Sequence, residues 1–316
     1  MTRVVKAAVV QAAPVPFQVD ATLNKVERLV RQATAGGTRL VVFPEAFVTC
    51  YPSGNRFGAV VGERSPEGHE WFRRYFDAAI PVPGPATERL GQIAGAHEVY
   101  LVIGVIERAG GTLYCTVLTF APDGALLGKH RKVMPTVAER MVWGFGDGST
   151  LPVFDTPLGR LGSVICWENY MPAMRMAMYA KGIELYCAPT ADDRDVWLAS
   201  MRHIAREGRC FVLSACQYLR RRDLPPDWPN ESPLEDSEVL LSGNSVIVAP
   251  TGEILAGPYG TGETVLRAEL DLDELGRAKF GFDAVGHYSR PDIFRLTVNE
   301  NAHPAVTFEG YAGKGE

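Results

Sequence analysis

The stretch "RLGSVICWENYMPAMRMAMYAKG", residues 160–182, changes its structural habit in mid-course. Its first part, "RLGSVIC", is short, apolar and partly β-branched, as a buried strand requires. Its second part, "NYMPAMRMAMYAKG", has Pro172 where a first helical turn tolerates it and Gly182 where a helix ends. Cys166 therefore falls at a strand-to-helix elbow. A chain built from such units is an α/β protein, so the question is whether the unit recurs.

It does. Strand-like segments occupy 3–12, 39–43, 99–107, 114–121, 151–154, 161–166, 183–188, 210–217, 243–249 and 263–270. Helical patterns lie between several of them, at 20–35, 68–79, 86–97, 171–181 and 194–208. The interleaving predicts helices covering sheets. Two hairpin signals, "TFAPDGALLG" at 119–128 and "VIVAPTGEILAG" at 246–257, resemble each other, with Pro and Gly bracketing one turn residue in each. The stretch 219–236 holds four prolines and many charges and is expected to be a surface loop, because strand signals resume after it.

The chain has 316 residues, 46% of them apolar, enough to bury a large core in one or two domains. A net charge of −5 gives no support to a nucleic-acid or membrane-surface partner, and Arg220, Arg221 and Arg222 are expected to be solvated. The opening "MTRVVKAAVVQAAPVPF" alternates apolar with polar residues and is expected to form the first strand, not a signal peptide. No apolar run approaches the roughly 18 residues of a membrane span. Six cysteines, at 50, 115, 166, 187, 210 and 216, show neither a disulfide framework nor zinc-ligand spacing, so reduced thiols in a cytoplasmic protein are expected.

At its elbow Cys166 would meet free backbone N–H groups and a positive helix end, which favour a thiolate. A packed strand-end thiol remains equally compatible with the placement. Cys50 and Cys187 are alternative thiols, but neither precedes a helix start, and packing roles are expected for both. None of the histidines lies in a recognisable Cys/His context, so other bases come into view. "LVVFPEAF" turns at Pro44 and sets Glu45 at the carboxyl lip of a strand, where sites of open α/β sheets form. A carboxylate in that apolar setting could act as a general base, or simply cap the turn. In "GKHRKVMPTVAERMVWGFGDGST", residues 128–150, Lys132 ends a strand and could supply fixed positive charge; Lys129 and Arg131 read as solvated edge charges. The glycines at 144, 146 and 148 do not form a phosphate-binding loop.

Together, "FPEAF" with Glu45, "HRKVMPTVAERMVWGFGDG" with Lys132 and "CWENYM" with Cys166 resemble, in order and spacing, the Glu, Lys and Cys motifs of the nitrilase superfamily. The resemblance extends to "GHYSRPDIF" at 286–294, and "CWEN" followed by Met171 is similar to the nitrilase and cyanide-degrading branch. It implies a four-layer α-β-β-α sandwich with a pseudo-twofold between two sheets, as a single domain over residues 1–295 followed by a C-terminal tail, 296–316. It also implies hydrolysis of an organic nitrile to carboxylic acid and ammonia. In that scheme Cys166 is the nucleophile, Glu45 the base and Lys132 the stabiliser of the tetrahedral species. Glu139, seven residues beyond Lys132, matches a second carboxylate. The backbone N–H of Trp167 would share the developing charge. Tyr51, Trp143 and Phe57 could line the pocket or equally well pack in the core, and loops 51–65, 134–145 and 190–200 would shape the pocket. No metal or organic cofactor is implied. The partners implied are the small-molecule nitrile and a second copy of the chain, as a homodimer or larger assembly. An amidase-type member of the same superfamily, a cyanide-degrading enzyme and a catalytically silent interaction protein are the alternatives.

Overall fold

The computed structural model describes residues 3–229 and 235–307. The first half runs β1 (Val4–Gln11), α1 (Val19–Thr34), β2 (Leu40–Val42), α2 (Pro66–Ala78), α3 (Pro85–Ala96), β3 (Tyr100–Ala109), β4 (Thr112–Phe120) and β5 (Leu126–Arg131). The second runs β6 (Val153–Thr156), β7 (Gly159–Ser163), α4 (Pro172–Ala180), β8 (Leu185–Cys187), α5 (Asp195–Gly208) and β9 (Phe211–Ser214). It continues through β10 (Tyr218–Arg220), β11 (Val239–Ser242), β12 (Val246–Val248), β13 (Ile254–Ala256), β14 (Thr264–Asp271) and α6 (Asp273–Gly281). Every expected strand and helix overlaps one of these.

Two six-stranded sheets form, ordered β14-β1-β2-β3-β4-β5 and β6-β7-β8-β9-β12-β13. In each, the second, third and fourth strands are parallel and all other neighbours antiparallel. The sheets are thus copies of one topology, and the two similar hairpins become the equivalent pairs β4–β5 and β12–β13. Alternation along each strand builds the layers. In β1, Ala7 and Val9 face the core between the sheets, where Leu161, Leu185, Phe211 and Leu213 of the second sheet also lie. Ala8 and Val10 face the other way and pack with Leu23, Val26 and Val30 of α1 and with Leu90 and Ile93 of α3. On the far side, α4 and α5 bury Met174, Met178, Trp197 and Met201 against Tyr186 and Val212. The result is the four-layer α-β-β-α sandwich. Each large apolar side chain removed from water in these layers contributes about 1.5–3 kcal/mol.

Three expectations need correction. Segment 219–236 is not simply a surface loop: β10 pairs with β11, and Leu224 and Trp228 are buried, Trp228 against Phe17 and Trp71. Residues 230–234 of that segment lie outside the described residues. Arg220 is not simply solvated either, since its guanidinium is tied to Asp223 at 3.0 Å. Lys129 and Arg131 are not free edge charges, because both pair with the buried Glu107 of β3, at 2.5 and 2.6 Å. Glu107 satisfies the Lys129 and Arg131 charges from another strand of the sheet, and Asp223 satisfies Arg220 from the turn that follows it, which a single strand's pattern does not reveal. Helix α6 was not expected at all; Leu275 is its one buried residue, so it shows no apolar stripe.

Residues 296–307 carry no helix or strand, and the His303 amide donates to Asp147 Oδ2 at 2.8 Å. Residues 308–316 of the expected tail lie outside the described residues. Among the described residues no helix is long and apolar enough to cross a membrane.

Candidate active site

The site lies where the parallel strands of both sheets end. After β2 the chain turns sharply at Pro44, and Ala46 takes a left-handed φ of 50°. After β7 the chain continues for two residues, and Cys166 itself has φ 48°. Non-glycine residues in this region cost about 1–3 kcal/mol each, and the surrounding packing must impose them. At Cys166 it does so through several bonds. The Cys166 amide donates to Pro189 O at 2.9 Å, and Asn169 Nδ2 donates to the carbonyls of Val164 and Cys166.

Cys166 opens a 3₁₀ turn, Cys166–Tyr170, and α4 begins only at Pro172. The expected positive helix end at the sulfur is therefore displaced by a turn. Burial and the Glu45 charge push the Cys166 thiol well above its ordinary range, against the pull of Lys132. Burial here favours the thiol over the thiolate that a helix end would favour.

Three charged side chains meet beside it. Lys132 Nζ donates to Glu45 Oε1 and to Glu139 Oε2, both at 2.7 Å, and Lys132 and Glu45 have no exposed side-chain surface. Burial alone would lower the lysine's pKa, but the charges of Glu45 and Glu139 hold it far above its usual range. Burial raises the Glu45 carboxyl despite Lys132, as a general base requires. Its Oε1 also receives the Cys115 thiol at 3.4 Å, whereas the buried Oε2 has no hydrogen-bond partner among the described residues. An ammonium has three donors; two are committed here, which leaves one for a reacting atom. Glu139 is fixed by the Thr136 amide at 2.6 Å and the Tyr51 hydroxyl at 2.9 Å.

Sequence reasoning missed three supports. Thr190 Oγ1 donates to Cys166 Sγ at 3.1 Å. Gln217 Nε2 holds the Glu45 carbonyl at 2.8 Å. The buried Glu168 carboxylate accepts from the amides of Ile165 and Val133, one residue before the cysteine and one after the lysine, and pairs with His130 at 2.8 Å. It fastens the cysteine turn to the lysine segment. Glu168 stood in view inside "CWEN", but only the fold shows what it touches.

A cavity of about 210 Å³ opens at the sulfur, lined by Tyr51, Thr136, Glu139, Cys166, Trp167 and Arg194, among others. It shares Tyr51 and Glu139 with a neighbouring cleft of about 540 Å³ that includes Phe57, Met141, Val142 and Trp143. The three loops expected to shape the pocket thus all reach it. Tyr51 and Trp143 meet edge to face, with ring centroids 6.0 Å apart. The Trp167 indole is partly exposed and donates to Asp192 at 2.8 Å, while its amide precedes the first bond within the turn and has no carbonyl there to donate to. The alternative thiols stay apart: Cys50 lies in the core with Trp71 and Leu219, and Cys187 lies between the sheets. All six cysteines are unpaired and buried. Among the described residues no cluster of His, Cys, Asp and Glu is arranged to hold a metal ion.

Comparison with known proteins bears on the family and the fold. The family model for carbon-nitrogen hydrolases matches residues 6–280. An aliphatic nitrilase of Sinorhizobium fredii is 60% identical over 301 residues, covering 95% of this chain and 97% of its own length. A bifunctional nitrilase/nitrile hydratase of Nicotiana tabacum is 55% identical over 319 residues, covering 100% of this chain and 92% of that protein. The solved structure of a carbon-nitrogen hydrolase from Helicobacter pylori G27 has the same fold, with a TM-score of 0.74 at 21% identity over 93% of this chain and 97% of that one.

Proposed function

The chain belongs to the carbon-nitrogen hydrolase family, and from that premise we propose that it is a nitrilase, converting R–C≡N and two waters to R–COOH and ammonia. The observation that carries the reading is the buried Lys132–Glu45 pair beside a cysteine that lines a cavity. A thiol raised by burial needs a base inside the site, and Glu45 is the base within it.

Glu45 takes the thiol proton as Sγ bonds to the nitrile carbon, and the nitrogen takes up that proton to give a thioimidate. Water adds to the carbon, the C–N bond breaks, and ammonia leaves with a proton returned through Glu45. A second water attacks the thioester and expels the sulfur, releasing the acid. The free N–H of Lys132 and the Trp167 amide hold the negative charge that develops at each addition, donors worth about 2.7–4 kcal/mol each. Glu139 keeps Lys132 oriented and charged. Tyr51 and Trp143 form the wall along which the R group lies.

When water has added to the thioimidate, carbon–sulfur cleavage competes with carbon–nitrogen cleavage. If sulfur leaves first, the product is the amide, with one water consumed. That a relative at 55% identity is a bifunctional nitrilase/nitrile hydratase favours a measurable amide fraction here too. The active form is read as a homodimer or larger assembly. The exposed Phe280, Ile293 and Phe294 support this, and monomeric sedimentation of the active enzyme would refute it. Catalysis is assigned to residues 1–295, with 296–316 as a tail. A cytoplasmic location fits the six unpaired cysteines.

The test is a panel of cyanide, aliphatic mononitriles and dinitriles, arylacetonitriles and benzonitrile, with ammonia, acid and amide measured and the protein mass followed for an adduct on Cys166. Acid and ammonia are expected. Turnover of amides alone would make the protein an amidase. No turnover and no adduct with either class would make it a silent relative.

A further inference from the structure

The two sheets repeat one topology, and the equivalence can be followed residue by residue past the strand ends. Leu40–Val42 of β2 pair with β1 and β3 as Leu185–Cys187 of β8 pair with β7 and β9. The next amides keep the match, Phe43 donating to Val102 O and Ala188 to Leu213 O, both at 2.8 Å. Pro44 then corresponds to Pro189, and Glu45 to Thr190. The residue at Glu45's place in the second sheet is therefore the one whose hydroxyl meets the cysteine sulfur, at 3.1 Å.

The contact is built. Thr190 has no exposed surface, its amide donates to Ala215 O at 2.8 Å, and its Oγ1 accepts from the Asp192 amide at 2.9 Å. With one lone pair engaged, the single O–H proton is aimed at Sγ. The carbonyl of the preceding Pro189 receives the Cys166 amide, so the same segment grips the cysteine by backbone and side chain. A buried thiolate must be met by donors, because water does not solvate it. Lys132 already gives two of its three protons to carboxylates.

We propose that Thr190 is a catalytic residue, whose hydroxyl donates to the Cys166 sulfur and stabilises the thiolate formed when the proton leaves and again when sulfur is expelled from the thioester. The proposal rests on the nitrilase reading for its chemistry, but the bond itself can be tested without a nitrile. The other groups that bear on this sulfur are Glu45, Lys132, Glu139, Tyr51 and Cys216, all of which the test leaves in place.

The experiment compares Thr190→Val, Thr190→Ala and Thr190→Ser in the full chain. One arm follows the pH dependence of iodoacetamide alkylation at Cys166, located by peptide mass, and the other measures kcat and KM on the best nitrile. Thr190→Val and Thr190→Ala are expected to move Cys166 alkylation to higher pH and to lower kcat roughly ten- to a hundredfold with KM little changed, the range for a hydrogen bond to a charged group. Thr190→Ser is expected to match wild type in both arms. Alkylation of Thr190→Val and Thr190→Ala with the wild-type pH profile would overturn the proposal. So would a Thr190→Ser variant as impaired as Thr190→Val, because the methyl and not the hydroxyl would then matter. If wild type turns over no nitrile, the functional reading fails while the alkylation arm still decides on the bond.

Discussion

His130 Nε2 lies 2.8 Å from Glu168 Oε2, and both side chains are buried. The ring's other nitrogen faces the Thr150 carbonyl oxygen at 2.6 Å, so it carries a proton, and the nitrogen toward the carboxylate shares one. Burial opposes the charge, but Glu168 outweighs it and holds the His130 pKa above its ordinary value. A folded-state pKa raised in this way stabilises the protein fully below the unfolded value of about 6.5, and the contribution is lost as pH rises through the folded value. Glu168→Gln is therefore expected to cost about 3–5 kcal/mol near pH 6. The deficit should shrink at alkaline pH, where wild type has lost the same interaction. Activity should fall as well, since Glu168 fastens the residues next to Lys132 and Cys166. Urea denaturation across pH checks this, and a pH-independent deficit would contradict it.

Lys132 neutralises two carboxylates, so its removal is not only a catalytic lesion. Lys132→Met leaves Glu45 and Glu139 buried without a counter-charge, and a stability loss of about 3–5 kcal/mol is expected. Activity should drop by about two to three orders of magnitude or more. Adding Glu45→Gln to Lys132→Met should recover part of the stability and none of the activity. Thermal denaturation of the two single variants and the double variant measures this coupling.

The fold was legible because its signals are periodic. In "RLGSVICWENYMPAMRMAMYAKG", a strand and the start of a helix are separated by one elbow, and the same alternation recurs along the chain. The candidate catalytic side chains stood out for a different reason. Glu45, Lys132 and Cys166 lie in long motifs, and only that resemblance raised Cys166 above a packed thiol. What stayed hidden depends on tertiary partners. Thr190 is an ordinary Thr until the second sheet brings it to the sulfur, and His130 becomes informative only opposite Glu168. The helix-end argument for a thiolate failed because a 3₁₀ turn intervenes before α4, and pattern alone does not separate the two.

Gly104 sits in β3 directly beneath the Glu45 turn. It accepts the Val48 amide at 3.0 Å and donates to Pro44 O at 3.1 Å, and a Cβ here would stand 2.7 Å from Glu45 Cα. Backbone, not a pliable side chain, would have to move. Gly104→Ala is therefore expected to cost about 1–3 kcal/mol by overpacking and to push Glu45, the proposed general base, away from the sulfur. The signature is a fall in kcat exceeding what the lost stability explains at a temperature where the variant is fully folded. A variant of normal kcat would show that the turn yields without displacing Glu45.

Glu107 offers a pH test with the opposite sign. Its buried carboxylate on β3 accepts from Lys129 and Arg131 of β5 and from Thr116 Oγ1 of β4, so three strands meet at one charge. Burial raises its pKa, but the hydrogen bonds from Arg131 and Lys129 prevail and hold it below the ordinary value. Its contribution is then present above the unfolded pKa of about 4.3 and lost as pH falls through the folded one. Glu107→Gln should destabilise the protein by about 2 kcal/mol near neutral pH, because it strands two partly buried cations. At acid pH, where Glu107 itself is protonated in wild type, the two proteins should converge. Parallel denaturation midpoints that keep a constant gap down to the acid limit would show that the side chain's shape matters there, and not its charge.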